Sequence, residues 1–316
     1  MLSANELRCL GLVGWYAAAM ALSGCDRGDT TTKVTVPPRV VAPQWENFAS
    51  APPQTSLNLV FLHHSVGSHL LADPGVGTGL EPNGGGARRL LAQSGYRVHE
   101  ATYGSKLGEH TDLFDWLPKF KESLPSILRI EFQDKLLPEP ERNRILLFKS
   151  CYPNTDFVGP GVEPGNPAGK ELTLANAKAT FRELLPIFAQ HPDTLFVFLT
   201  TPPLAAPAPE GKVKGVIKGL LGRPSDLDKA TQAALLARQF HDFIVSENGW
   251  LGKDGPKNVA VFDLYDVLTR RQSSLFLQYP TGDGTDSHPS SEAQQIAAKE
   301  LVPFLNRAVR RAGLSD

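Results

Sequence analysis

Five short apolar runs, each followed by a candidate helix, limit the fold of this sequence more than any other feature. The runs are rich in Leu, Val and Phe, and they occupy residues 57–63, 96–103, 144–150, 194–201 and 258–267. Continuous rather than alternating apolarity is typical of parallel strands that are covered on both faces. Candidate helices lie at about 84–94, 112–122, 172–190, 226–247 and 291–312. The alternation predicts a three-layer α/β/α sandwich around a mostly parallel five-stranded sheet.

The first 25 residues differ in composition from the rest of the chain. After Arg8, an apolar, Ala-rich stretch runs from Leu10 to Leu22 and leads into the residues LSGC. The stretch has the length of a signal-peptide h-region and is shorter than the ~20 residues that span a bilayer. Its end resembles the lipobox of bacterial lipoproteins, and that resemblance implies cleavage before Cys25 and acylation of Cys25. A plain N-terminal helix or an uncleaved anchor is the alternative.

This pattern predicts three segments. Residues 1–24 are expected to be a lipoprotein signal peptide, residues 25–56 a Pro- and Thr-rich tether, and residues 57–316 the folded domain. The expected location is the bacterial cell envelope, where an N-terminal lipid would hold the protein at a membrane that the sequence does not identify. Of the three cysteines, one would leave with the signal peptide and Cys25 would carry the lipid. Cys151 would then remain alone, so we expect no internal disulfide.

The charge balance argues against nucleic acid as a partner. The chain has 32 basic and 33 acidic residues, which give a formal net charge of −1. Nucleic-acid binding normally needs clustered Lys and Arg, and the sequence shows no basic stripe with interleaved aromatic residues. We therefore expect no nucleic-acid partner.

Polar residues cluster where the predicted strands end. In a parallel sheet the carboxyl ends of the strands form one edge, and ligands bind beyond that edge. The first run is followed by HHSVGSH with Ser65, the second by TYGSKLGEH with Gly104, and the third by KSCYPNTD with Asn154. Asp286 and His288 follow the last run, just before the final predicted helix. We expect these five residues to lie at the same edge of the sheet.

This arrangement resembles the SGNH (GDSL-like) hydrolase superfamily, whose fold is flavodoxin-like, over most of the predicted domain. The resemblance implies that Ser65 is the nucleophile, that His288 is the general base and that Asp286 orients the imidazole. It also implies an oxyanion hole formed by the backbone N–H groups of Ser65 and Gly104 and by the side-chain amide of Asn154. No metal and no organic cofactor is implied.

Three blocks depart from the usual pattern of this superfamily. HHSVG replaces Gly-Asp-Ser, CYPNTD replaces Gly-x-Asn-Asp, and the pair Asp286 and His288 forms Asp-x-His in place of Asp-x-x-His. Thr285 occupies the position three residues before His288, and Asp283 is a second candidate partner for the imidazole. The Asp-x-His spacing also resembles that of some polysaccharide O-acetylating relatives.

Several of these residues also have purely structural interpretations. Asn154 could form an Asx turn, and Gly104 could supply a turn with a positive φ. Cys151 could be a thiol nucleophile that uses the same histidine, although burial as a small hydrophobe is the commoner role. The adjacent His63 and His64 suggest a metal site, but successive side chains of a strand point to opposite faces. We therefore expect no metal.

Two local predictions concern the C-terminal half of the chain. Ser291 and Gln294 fit a capping box at the start of the final helix, which would hold His288 just ahead of a rigid element. Residues 204–226 interrupt the alternation of strands and helices. We expect a solvated insertion loop there, with a lid or a membrane-facing patch as the alternative.

The leading hypothesis is a lipid-anchored serine esterase of the SGNH type. Its partner would be a small acyl ester or an acylated glycan, with carbohydrate O-acyl (acetyl) esters as the substrate class. The alternatives are a non-catalytic glycan-binding envelope lipoprotein and an O-acyltransferase. Covalent modification of Ser65 separates an enzyme from a binding protein, whereas the acceptor of the acyl group separates a transferase from a hydrolase.

Overall fold

The structure, a computed structural model, describes residues 47–75, 84–211, 217–218, 220–246, 248–252, 255–270 and 273–315. The predicted signal peptide, the lipidation site Cys25 and most of the predicted tether lie outside these residues, as does part of the 204–226 insertion. Among the residues that are described, no helix is both long and apolar enough to cross a membrane.

A mostly parallel sheet forms the centre of the described structure. Its strands are β1 (Leu57–Leu62), β2 (Tyr96–Ala101), β3 (Ile130–Phe132), β4 (Lys135–Leu136), β5 (Ile145–Phe148), β6 (Leu195–Leu199) and β7 (Val259–Phe262). Their order across the sheet is β4-β3-β2-β1-β5-β6-β7. Every pair of neighbours is parallel except β3 and β4, which are antiparallel. The predicted fold class is confirmed, with seven strands in this sheet where the sequence predicts five.

The two additional strands lie at one edge of the sheet and are very short. β3 has three residues and β4 has two, and the turn between them contains Gln133 with a φ of 55°. Phe132 is exposed. Because these strands bury few side chains, they leave no continuous apolar run in the sequence, which is the signal that identifies the five longer strands.

Helices cover both faces of the sheet. They are α1 (Ser65–Leu71), α2 (Ala87–Gln93), α3 (Trp116–Ile127), α4 (Leu174–Ala189), α5 (Asp226–Val245), α6 (Leu264–Leu268) and α7 (Ser291–Arg311). One core contains Trp116, Phe181 and Phe240 from α3, α4 and α5, and the opposite core contains Leu70 and Leu301 from α1 and α7. The sheet therefore has an apolar core on each side, as a three-layer sandwich requires.

The central strand β1 contributes to both cores. Val60 and Leu62 belong to the core on one side of the sheet, and Leu59 and Phe61 belong to the core on the other side. All four side chains are at most 1% exposed. Because successive side chains of a strand point to opposite faces, a strand covered on both sides must be apolar at every position.

The start of α7 differs by one residue from the prediction. Ser290, not Ser291, is the N-cap, and its side chain accepts a hydrogen bond from the backbone N–H of Ala293. Gln294 is fully buried instead of completing a capping box. Two neighbouring serines offer the same capping chemistry, and packing of the helix decides between them.

The strand order creates a switch point in the sheet. From β1 the chain proceeds to β2 on one side, whereas β5 lies against the other side of β1. The connections that leave the carboxyl ends of β1 and β5 therefore diverge and open a crevice between them. Ser65 follows β1 and Cys151 follows β5, so both lie at this crevice.

Candidate active site

Ser65 begins helix α1, and only two residues separate it from the end of strand β1. The turn is tight: a Cβ atom on Gly67 would lie 2.3 Å from the Cβ of His63. Glycine at this position lets the strand turn directly into the helix without a collision. The Ser65 side chain is therefore presented at the strand end by a rigid strand and a rigid helix.

His288 and Asp286 lie on a small antiparallel hairpin formed by β8 (Pro280–Thr281) and β9 (Asp286–Pro289). Asp286 Oδ1 accepts hydrogen bonds from the backbone N–H of His288 at 2.9 Å and from its Nδ1 at 2.7 Å. A hydrogen on Nδ1 leaves Nε2 as an acceptor. Nε2 lies 3.0 Å from Ser65 Oγ, so the hydroxyl can donate to it.

The environment keeps Asp286 ionised. Burial by itself raises the pKa of this carboxyl, but the hydrogen bonds from the backbone and ring of His288 outweigh burial and hold the pKa below its ordinary value. A charged carboxylate beside Nδ1 fixes the tautomer of the ring and stabilises a positive charge on it. The side chain of Asp286 is 46% exposed, so water also contacts it.

Two aromatic rings pack against the imidazole of His288. The ring centroid of His69 lies 5.3 Å away, and the ring of Tyr152 meets it edge-on at 5.0 Å. His69 is buried, and burial, followed by the nearby His288, lowers its pKa to about 4. His69 is therefore neutral near pH 7 and does not compete with His288 for a proton.

Two of the three predicted oxyanion donors, Gly104 and Asn154, already have hydrogen-bond partners within the protein. The backbone N–H of Gly104 donates to Glu109 Oε1 at 2.8 Å, and Gly104 occupies a turn with a φ of 83°. Asn154 is buried; its Nδ2 donates to Asp112 Oδ1 at 2.7 Å and its Oδ1 accepts from the backbone N–H of Leu113. An amide nitrogen carries two hydrogens, so Asn154 retains a second N–H.

Tyr103 lies beside Ser65, although it was not among the predicted site residues. Hydrogen bonding from the side chain and the backbone of Ser65 lowers the pKa of its hydroxyl and partly offsets the rise that burial causes. Its ring stacks on His64 with centroids 3.9 Å apart. The one signal in the sequence was its position directly before Gly104 at the end of β2.

Lys149 and Cys151 lie beneath the site, beyond the end of β5. Lys149 is fully buried; its Nζ donates to the carbonyl of Ser150 at 3.2 Å and also contacts the Cys151 side chain. Burial lowers the pKa of Lys149. Cys151 Sγ lies 3.6 Å from Ser65 Oγ. The signal for this buried charge was a lysine within the otherwise apolar run 144–150.

The adjacent histidines have separate partners. His63 is buried, with Nε2 3.1 Å from Glu100 Oε2, whereas His64 Nε2 donates to the carbonyl of Gly108. Across the described parts of the chain, no three His, Cys, Asp or Glu side chains are grouped so that they could hold a metal ion.

The beginning of the 204–226 insertion borders the site. The backbone N–H of Ala205 donates to Ser287 Oγ, between Asp286 and His288. Further along, Lys218 is paired with Glu210 and Asp226. The prediction of a solvated loop and its alternatives, a lid or a membrane-facing patch, stay untested.

Comparison with protein families and with curated proteins found no match. Among solved structures, a catalytic mutant of Axe2, an acetylxylan esterase from Geobacillus stearothermophilus, is 12% identical, with 82% of this chain and 95% of that chain covered and a TM-score of 0.36. A family two carbohydrate esterase from Cellvibrio japonicus is 15% identical, with 84% of this chain and 64% of that chain covered and a TM-score of 0.33. TM-scores this low say nothing about the activity of this chain.

Proposed function

We propose that this chain is a serine esterase that works through an acyl-serine intermediate. One observation carries the proposal: Asp286, His288 and Ser65 form a continuous series of hydrogen bonds, 2.7 Å at Nδ1 and 3.0 Å at Nε2 of the imidazole. A serine hydroxyl is a weak nucleophile until a neighbouring base takes its proton. This series provides such a base, and a carboxylate that holds the base in the required tautomer.

The first half of the reaction transfers the acyl group to the enzyme. Ser65 Oγ attacks the ester carbonyl carbon while its proton moves to His288 Nε2, and the carbonyl oxygen becomes an oxyanion. The tetrahedral intermediate then expels the alcohol, whose oxygen takes the proton from the imidazolium. The products of this half-reaction are the acyl-serine and the free alcohol.

The second half repeats these steps with water in place of the alcohol. His288 takes a proton from water, the resulting hydroxide attacks the acyl carbon, and Ser65 leaves with the proton. A sugar hydroxyl in place of water would make the same site an O-acyltransferase. Asp286 remains ionised throughout and stabilises the positive charge on the imidazolium.

We propose a small O-acyl group on a carbohydrate as the substrate class. Cys151 and Tyr103 crowd the hydroxyl of Ser65, which favours a short acyl chain. Tyr103 retains 55% of its surface exposed beside the nucleophile. An exposed aromatic ring offers an apolar face with a polar tip, which suits the mixed apolar and hydroxyl surface of a sugar.

Labelling with a fluorophosphonate probe tests the proposal. The full chain is incubated with the probe and the adduct is located by mass spectrometry, alongside Ser65→Ala and His288→Ala. Ser68→Ala is the matched control, because Ser68 lies on the same helix α1 and takes no part in the hydrogen-bond series. We expect an adduct on Ser65 that persists in the control and disappears in the other two variants.

An absence of labelling in the folded chain would contradict the esterase and favour a glycan-binding protein without catalytic activity. If the adduct forms, hydrolysis of acetylated sugars in the presence and absence of a second sugar acceptor then separates hydrolase from transferase.

A lipid anchor at Cys25 is a separate proposal, supported by the LSGC pattern alone. Expression of the full chain in bacteria with radiolabelled palmitate should give a labelled protein in the membrane fraction. Cys25→Ala should lose the label, whereas Cys151→Ala should retain it.

A further inference from the structure

The oxyanion site lacks one of its expected donors. The Gly104 N–H is directed at Glu109 Oε1, 2.8 Å away. A hydrogen bond to a carboxylate is stronger than one between neutral groups, so this N–H is not readily released to a substrate oxygen. Another donor near Ser65 is therefore needed if the carbonyl oxygen is to be held by more than the N–H of Ser65 and the second N–H of Asn154.

A fixed aromatic platform lies on the same side of the site. His64 Nε2 donates to the carbonyl of Gly108 at 3.2 Å, and the Thr111 hydroxyl donates to His64 Nδ1 at 3.2 Å. Burial lowers the pKa of His64, followed by smaller effects that include the charge of Lys149, so the ring is neutral. With both ring nitrogens bonded, the imidazole cannot rotate freely.

Tyr103 is held on this platform. Its ring stacks on His64 at 3.9 Å with an angle of 26° between the planes. Hydrogen bonding from the side chain and the backbone of Ser65 lowers the pKa of the Tyr103 hydroxyl and partly offsets burial, so this hydroxyl lies beside both groups. A group that lies beside both the backbone N–H and the Oγ of Ser65 is close to the position that the oxyanion of a tetrahedral intermediate would occupy.

We propose that the Tyr103 hydroxyl is an oxyanion donor, in place of the Gly104 N–H. An incoming carbonyl oxygen takes over the Ser65 N–H, and the displaced phenol donates its O–H to the same oxygen as negative charge develops there. Burial, followed by neighbouring Cys151, raises the pKa of Tyr103 above its ordinary value, so the phenol keeps its proton at neutral pH. This inference rests on the proposed serine esterase. The alternative role is that of a plug: Tyr103 would only block access to Ser65 and would have to move away before a substrate binds.

The substitution Tyr103→Phe in the full chain distinguishes these roles, because it removes the hydroxyl and keeps the ring on His64. Tyr279→Phe is the matched control: its hydroxyl accepts from Arg270 Nε at 2.9 Å and is not part of the site. The measurements are kcat and KM for p-nitrophenyl acetate, and the rate of fluorophosphonate labelling of Ser65.

For Tyr103→Phe we expect kcat to fall about 100-fold, because a donor to the developing oxyanion is lost. The unfolding midpoint should change little, because the exposed ring keeps its stacking on His64. The adduct on Ser65 should still form, at a lower rate, and the control should match the unaltered chain. An unchanged or increased kcat in Tyr103→Phe, with an active unaltered chain, would overturn the donor role and favour the plug. An unaltered chain with neither turnover nor adduct would overturn the esterase and this inference together.

Discussion

Two nucleophilic side chains lie next to each other in this molecule, and their surroundings differ. Ser65 Oγ and Cys151 Sγ are 3.6 Å apart, at the ends of the neighbouring strands β1 and β5. Ser65 is bonded to the imidazole of His288, whereas the Cys151 side chain contacts the buried Lys149. A thiol is intrinsically the better nucleophile of the two. In the proposed mechanism, the position of the base and not the residue type would select the nucleophile.

The connections after the two strands explain the difference. The chain after β1 turns at once into α1, which carries Ser65 toward the hairpin of β8 and β9. The chain after β5 continues into a 3₁₀ turn at Tyr152–Thr155, and Cys151 is only 8% exposed. Burial suits a small apolar side chain and leaves the thiol little room to reach a substrate.

The largest expected effect is the loss of turnover in Ser65→Ala. Because serine and histidine act as a unit, kcat should fall by roughly 10⁴-fold or more in this variant. The kcat of His288→Ala should fall by a similar factor. Hydrolysis of p-nitrophenyl acetate measures both. Turnover that persists in Ser65→Ala and is lost only when Cys151 is also replaced would reverse the comparison between the two nucleophiles.

Asp286→Asn should have the next largest effect. An amide at this position no longer stabilises the imidazolium and permits the wrong tautomer, so we expect kcat to fall about 10³-fold. Asp283→Asn is the matched control, since the Asp283 carboxylate accepts from the backbone and hydroxyl of Thr285 in the same hairpin. Equal losses of kcat in the two variants would indicate that activity depends on an intact hairpin and not on the Asp286 carboxylate in particular.

Cys151→Ala should change activity far less than stability. We expect kcat to remain within about threefold, because the thiol is not bonded to the base. The free energy of unfolding should fall by about 1–2 kcal/mol, since the buried Lys149 loses a partner and a small cavity forms. Urea unfolding and ester hydrolysis are the measurements. A loss of turnover as large as that of Ser65→Ala would assign the thiol a part in the reaction.

The last prediction concerns His69, whose expected effect is on the pH dependence of stability and is smallest for turnover. Unfolded His69 binds a proton below its ordinary pKa of 6.5, whereas the folded protein resists protonation until about pH 4. Lowering the pH between these two values therefore favours the unfolded chain. In this range the free energy of unfolding should fall, because of His69, by up to about 1.4 kcal/mol per pH unit.

His69→Gln should remove this contribution. Urea unfolding between pH 7.5 and pH 4.5 should show that the stability of the unaltered chain declines more steeply with acid than that of the variant. Parallel declines would mean that His69 titrates alike in the folded and unfolded states.

Much of the architecture could be predicted from local patterns. The five longer strands and the helices α2 to α5 and α7 appear as apolar periodicity, because burial on both faces of a sheet imposes it. The rule that strand ends share one edge predicted that Ser65 would meet Asp286 and His288, more than 200 positions away, and the structure brings them within hydrogen-bond distance. Their catalytic roles stay predictions.

Other parts left little trace in the sequence. Helix α1 has only seven residues, and the hairpin of β8 and β9 pairs two residues with four. Elements this short bury too few side chains to produce a readable period. Lys149 was visible as a charge within an apolar run, but its contact with Cys151 depends on how the chain leaves β5.

The sequence by itself determined the layers, the parallel sheet and the edge at which chemistry can occur, because hydrophobic burial acts on regular repeats. The tertiary structure decided which hydrogen-bonding groups face Ser65. The backbone N–H of Gly104 donates to Glu109, and the hydroxyl of Tyr103 lies beside Ser65. The physical reason is that a hydrogen bond tolerates only a few tenths of an ångström, so its partners are set by loop conformation and packing, which no local pattern encodes.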